Sequence, residues 1–174
     1  MPYTKTTWVN GVAPPISAAN LNKLETQYDE ALATVAITRV RKTADETVNN
    51  SDVLQNDNHL LFAVAANEVW ELTINILALS ATATPDLKAN ITVPAGATGA
   101  LQWIGSTNYT ETYAIGGLNP VFPLVATLGL FQLKAIVVNG ANAGNVQFQW
   151  AQQTATVQNT TVKANSCIIA HKLA

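Results

Sequence analysis

Two histidines and one cysteine set the limits of the chemistry this 174-residue chain can carry. Any imidazole catalysis or zinc site must use His59 or His171, and the thiol of Cys167 lies just upstream of His171. On a strand the two would share a face, but at roughly 3.3 Å per residue they stand about 13 Å apart. That is too far to share a metal or to form a nucleophile–base pair directly. A small buried thiol and a histidine on a final strand is the plainer reading. His59 follows Asn56-Asp57-Asn58 and reads as the mouth of a strand, with a pH-sensitive or metal role as the sharper alternative. The carboxylates Asp45, Glu46, Asp52 and Asp57 crowd together in sequence. They could line a cation site or supply an acid–base pair; a solvated edge accounts for them more simply.

No phosphate-binding glycine loop, nucleophile elbow or cysteine pair with zinc spacing occurs. Pro94-Ala95-Gly96-Ala97-Thr98-Gly99 is rich in glycine but lacks a lysine and opens no helix, so it reads as a turn. The expectation is therefore a protein that is not an enzyme, with no cofactor and no metal. A different chemistry suits Trp103, Tyr109 and Tyr113, which are interleaved with Ser106, Thr107, Asn108 and Thr110. Flat aromatics beside amides and hydroxyls match the apolar face and polar rim of a sugar ring. These three residues are the candidate contacts to a host surface glycan, against the commoner reading of core packing.

The elements that would position these groups follow from periodicity. Trp70, Leu72, Ile74 and Ile76 alternate with polar residues, as do Leu87, Ala89, Ile91 and Val93, and then Val146, Phe148 and Trp150. A period of two is that of a half-buried strand. Further candidate strands are 37–44, 59–64, 101–105, 109–115, 125–138 with a kink at Gly129, and 166–172. Turn residues separate them, notably at 94–99 and 139–145. Eight or nine short strands predict an antiparallel, jelly-roll-like β-sandwich over residues 37–174.

Residues 1–36 follow a different plan. A polar arm with Trp8, Val9 and an Asn10-Gly11 turn leads to Pro14, Pro15 and Ile16, and Ser17 is a good N-cap for a helix reaching Val35. Its apolar residues, Leu21, Leu24, Tyr28, Ala31 and Val35, recur at gaps of three and four, which is a heptad seam. Such a short helix is marginal alone, so the seam predicts burial against copies of itself or another surface. Arg39, Arg41 and Lys42 are placed to meet the negative end of its dipole.

Charge narrows the partners. The net charge is −2 and the pI about 5.6, which gives no electrostatic reason for nucleic acid or a membrane surface as partner. Only ten of the twenty charged residues lie beyond residue 46, leaving a surface of Asn, Thr, Gln and Ala. The start of the chain shows no secretory pattern. The apolar stretch Val121 to Val138 is interrupted by Pro123, Thr127, Gly129, Gln132 and Lys134, so it reads as strands and not as a membrane span.

Trp8-Val9-Asn10-Gly11, Pro14-Pro15-Ile16-Ser17-Ala18 and Asn20-Leu21-Asn22-Lys23-Leu24-Glu25 resemble the N-terminal segment of bacteriophage virion appendage proteins. These are the small head-fibre, capsid-decoration and tail-fibre subunits. Residues 93–99, 144–152 and 166–173 are similar to phage β-sandwich domains. The resemblance implies a virion location, attachment through Trp8, Val9, Pro14, Pro15 and Ile16, and a homotrimer held by the helix. It implies capsid or tail proteins as partners. Capsid decoration or head fibre is the leading expectation, and a receptor-binding tail or baseplate module is the alternative.

Overall fold

The computed structural model describes residues 18–34, 37–104, 110–117 and 119–174. One helix, α1 (Ala18–Thr34), precedes twelve strands. These are β1 (Ile37–Arg41), β2 (Glu46–Val48), β3 (Gln55–Val64), β4 (Val69–Ser80), β5 (Leu87–Thr92) and β6 (Thr98–Ile104). β7 (Thr110–Ala114), β8 (Val121–Phe122), β9 (Gly129–Val138), β10 (Gly144–Gln152), β11 (Thr160–Val162) and β12 (Cys167–Lys172) complete the set. Contacts divide the chain into two units, Met1–Ala36 and Ile37–Ala174.

Helix α1 contains neither glycine nor proline and is rich in Ala and Leu, which lose little freedom in a helix. Leu21 is 50% exposed, Leu24 49% and Tyr28 66%, and Ala31 is exposed as well. The seam therefore stands uncovered along its described length. Ser17, Val35 and the arm residues Trp8, Val9, Pro14, Pro15 and Ile16 lie outside the described residues.

The three clean alternations become β4, β5 and β10. β4 is the spine of the larger sheet, pairing with β9 from Val69↔Val138 to Ala78↔Gly129 and with β12 on its other side. Eight of the strands, β1, β3, β4, β5, β8, β9, β10 and β12, form two antiparallel layers. One runs β1-β12-β4-β9 and the other β3-β10-β5-β8. Counted in chain order, the layers read first, eighth, third, sixth and second, seventh, fourth, fifth. This is the doubled Greek key of a jelly roll. The hairpin β6–β7 widens the first layer beyond β9.

Strand ends depart from the sequence reading where the chain leaves a layer. The 37–44 candidate stops at Arg41, and the line resumes as β2; the 166–172 candidate forms as β12, preceded by the short β11, which was not among the candidates, and both lie along β4. The 125–138 candidate begins at Gly129, while Leu124 N–H bonds to the carboxylate of Asp86 and holds the preceding stretch as a loop.

The core fills the space between the layers. Phe62 meets Trp70, Trp103 meets Phe122, and Phe122 meets Phe131, each edge to face with ring centres 5.2–5.4 Å apart. Such contacts contribute about 0.5–1.5 kcal/mol each beyond burial alone. Trp150, Phe148, Leu60 and Ile74 are fully buried around them. Gly99 marks a close approach: at φ +150, a Cβ there would lie 2.0 Å from the Ile136 carbonyl oxygen.

The sandwich has two distinct ends. At one, Ile37 pairs with His171, and Leu173 N–H donates to the Val69 carbonyl. Here Asn67 N–H bonds to Gly140, and the side chains of Asn139 and Asn142 bond to Ala65 and Ala95. At the other, Ser80 N–H reaches Val125, Ala81 N–H reaches Asn159, and Gln153 N–H reaches Pro85. The buried amide of Gln152 binds the carbonyl of Gln158 and accepts from the N–H groups of Ser51 and Thr156.

Candidate functional site

The most chemically distinctive place in the described residues lies where β1 gives way to β2. Arg39 and Arg41 are on the outer face of β1, and parity turns Lys42 inward with Thr38 and Val40. The two broken strands brace each other there. Lys42 N–H donates to the Ser166 carbonyl, Asn165 N–H donates to Lys42, Arg41 bonds to the Asn165 side chain, and Asp45 pairs with Lys163. This fixes the backbone that delivers the lysine side chain to the interior, where it is 0% exposed.

β3 is distorted at the same level. Gln147 is paired with Leu61 and Gln149 with Asn56, so Phe148 alone faces residues 57–60. The extra residues curl so that Asp57 Oδ1 accepts the N–H groups of His59 and Leu60 at 2.9 and 3.0 Å. Gln147 Nε2 bonds to the Asp57 carbonyl at 2.8 Å and holds the curl against β10. The other carboxylate oxygen, Oδ2, receives Lys42 Nζ at 2.7 Å, with neither side chain exposed. Glu46 Oε2 lies on the same ammonium at 2.7 Å and also accepts Asn58 N–H, while its Oε1 accepts from Gln55 Nε2. Glu46 retains 12% side-chain exposure, so it is the member nearest water.

Glu46, Asp57 and His59 each offer an atom within 4.8 Å of the others, a set chemically suited to a metal ion. Lys42 places its own ammonium on two of them. The reading of these carboxylates as a solvated edge is corrected for Asp57, which is 1% exposed. It stands for Asp45 and Asp52, which are exposed. Lys42, expected at the helix terminus, is committed to this cluster instead. Nothing in its local sequence marks it, but its inward parity with Val40 was a usable signal.

Two peripheral carboxylates are held below the ordinary carboxylate range. For Asp45 the cause is its hydrogen bond to Lys163, followed by the Ala164 N–H. For Glu68 it is the bond from Lys172, with the Ala65 N–H and Trp70 indole adding to it and burial opposing it.

The other candidates do not converge. Trp103 is 8% exposed and packs against Phe122, so its ring is a core residue with no face free for a sugar. That corrects the glycan-contact reading for Trp103. Tyr109 lies outside the described residues, and Tyr113 is paired in register with Leu101. Cys167 and His171 sit on the outward side of β12; the thiol is 3.8 Å from Asn75 Nδ2. A shallow hollow of about 290 Å³ on the outer face of the larger layer is lined by Glu71, Ala100, Gln102, Lys134 and Ile136. It holds no nucleophile paired with a base among the described residues. The far-end loops expose Val53, Val125, Leu128 and Val157.

No family model matches the sequence, and no curated protein does. Among solved structures the chain is similar to the tripod (BppUct-A-L) from the baseplate of bacteriophage Tuc2009. The TM-score is 0.37 and the identity 11%, over 98% of this chain and 76% of that one. It is also similar to the T13 IBDV viral particle, with a TM-score of 0.29 and 11% identity over 80% of this chain. A third is the infectious bursal disease virus VP2 subviral particle, at 0.26 and 11% over 78%. The chain spans 40% and 39% of the latter two. At these scores the likenesses carry no argument about function. No helix among the described residues is long and apolar enough to cross a membrane.

Proposed function

We propose that this chain is a non-enzymatic structural protein of a phage virion. Residues 1–36 attach and trimerise it, and the jelly roll is displayed outward as a capsid decoration or head fibre. The observation that carries the reading is the exposed heptad stripe of Leu21, Leu24 and Tyr28 placed directly ahead of a jelly roll. An uncovered seam of that spacing is satisfied by copies of itself. The phage-like segment from Trp8 to Glu25 supplies the attachment half, with capsid or tail proteins as its partners.

The test is to incubate the full chain, and the chain lacking residues 1–36, with undecorated particles. Binding by the full chain alone supports the roles assigned; equal occupancy by the truncated chain refutes them. Sedimentation at micromolar concentration tests the trimer.

A second reading, a receptor-binding tail or baseplate module, is favoured by the exposed Val53, Val125, Leu128 and Val157 at the end of the sandwich opposite Ile37. Exposed apolar side chains on linked loops are a common basis for recognition. Adsorption of the purified chain to host cells, abolished by Val53→Ser with Val157→Ser, would establish it. Labelling the protein on the particle distinguishes head from tail.

A further inference from the structure

We infer that Lys42 and Asp57 join covalently, forming an amide between Lys42 Nζ and Asp57 Cγ inside the folded sandwich, with Glu46 as the proton carrier. The inference is independent of where the protein resides.

Each part the reaction needs is in place. The nucleophile and the acyl carbon belong to side chains with 0% exposure, and Nζ already touches Oδ2 at 2.7 Å. Holding reacting groups in contact turns a bimolecular condensation into an intramolecular one, worth several orders of magnitude in rate. Oδ1 is gripped by the N–H groups of His59 and Leu60 at 2.9 and 3.0 Å. Two backbone donors on one oxygen are the arrangement that stabilises the charge developing there when the carbonyl carbon becomes tetrahedral. Oδ2 lacks that grip and faces the ammonium, so it is the oxygen placed to leave. Glu46 Oε2 is 2.7 Å from Nζ and has a route to solvent through its partly exposed side.

The step balances without a co-reactant. Glu46 takes one proton from the Lys42 ammonium and passes it to Oδ2, giving a neutral amine beside a carboxylic acid. The nitrogen lone pair attacks Cγ, and the negative charge moves onto Oδ1. A second proton leaves nitrogen through Glu46 to Oδ2. The Cγ–Oδ2 bond then breaks and water departs. One ammonium and one carboxylate are consumed, one amide and one water are formed, and Glu46 is regenerated. The dry surroundings favour the sequence twice over: they penalise the separated ion pair and hinder hydrolysis of the product. The bond would link the β1–β2 line of one layer to β3 of the other.

Intact mass spectrometry of the purified, folded full chain tests this, followed by proteolysis and fragmentation. The expected result is a mass one water below that of the sequence, no tryptic cleavage after Lys42, and a branched peptide joining Lys42 to Asp57. Lys42→Arg retains a cation but has no competent amine, and should show the full mass. Glu46→Gln should show the full mass or a conversion slowed by at least tenfold. A wild-type chain that keeps its full mass after prolonged incubation overturns the proposal. So does a missing water that maps to a cyclised aspartyl–asparaginyl bond at 57–58, or one that persists in Lys42→Arg.

Discussion

Lys42 and Asp57 reach each other from opposite layers of the sandwich, and their charged atoms meet at 2.7 Å with no solvent on either side chain. A polar contact of this kind is costly to assemble and more costly to leave half made. Removing one partner of a buried pair strands the other charge, a loss of about 3–5 kcal/mol. Measured against Lys42→Arg, which keeps a charge pair without an amide, Asp57→Leu is therefore expected to lower stability in urea unfolding, by somewhat less than that amount because Glu46 remains on the ammonium. The double variant Lys42→Met with Asp57→Leu should recover only part of it, because the ammonium is gone but the His59 and Leu60 N–H groups and the Glu46 carboxylate lose partners.

Acid sensitivity follows from Glu68 and Asp45. Both are depressed in the folded protein, so each contributes stability that is complete above the ordinary carboxylate range and is lost as pH falls through the folded value. Melting temperatures should be level near neutrality and fall below the usual carboxylate range. Glu68→Gln should flatten that fall. Its pair with Lys172 is partly exposed, so the contribution is no more than about 1 kcal/mol.

The seam on α1 gives a third test. Leu24→Asp places a charge in the centre of the stripe and should shift sedimentation from an associated species to a monomer. The near-ultraviolet signal of the sandwich tryptophans should be unchanged. Association that survives the substitution would remove the helix from the assembly role.

Gly99 gives a fourth. A methyl group there meets the Ile136 carbonyl oxygen and demands a backbone angle that other residues avoid. Gly99→Ala should destabilise the domain by at least about 2 kcal/mol. Gly96→Ala, which meets no atom within 4 Å at φ +84, bears only the conformational penalty and should cost less.

Sequence periodicity located the middle of each layer well because those strands have one wet face and one dry face. Trp70 to Ile76 could be assigned from alternation alone. The short pieces β2 and β11 carry too few residues to show a period, and they exist because each pairs with a chain segment more than a hundred residues away. Parity with Val40 points Lys42 inward, but the cluster it enters was illegible for a related reason. A lysine is seldom buried, and the partners that make it tolerable are supplied by a different strand. Trp103 erred in the opposite direction: it shares parity with the buried Leu101, a stronger cue than its hydroxyl-rich neighbours.

The pairing of Ile37 with His171 has a mechanical consequence. β1 is an edge strand, bonded only to β12 through the pairs from Ile37 to Arg41. Tension transmitted from residue 36 would reach Ile37 first and could peel β1 away one pair at a time. The next residue, Lys42, is gripped by Glu46 and by Asp57 of the other layer. A tear begun at Ile37 would thus be arrested after a single short strand, leaving the rest of the sandwich intact under load.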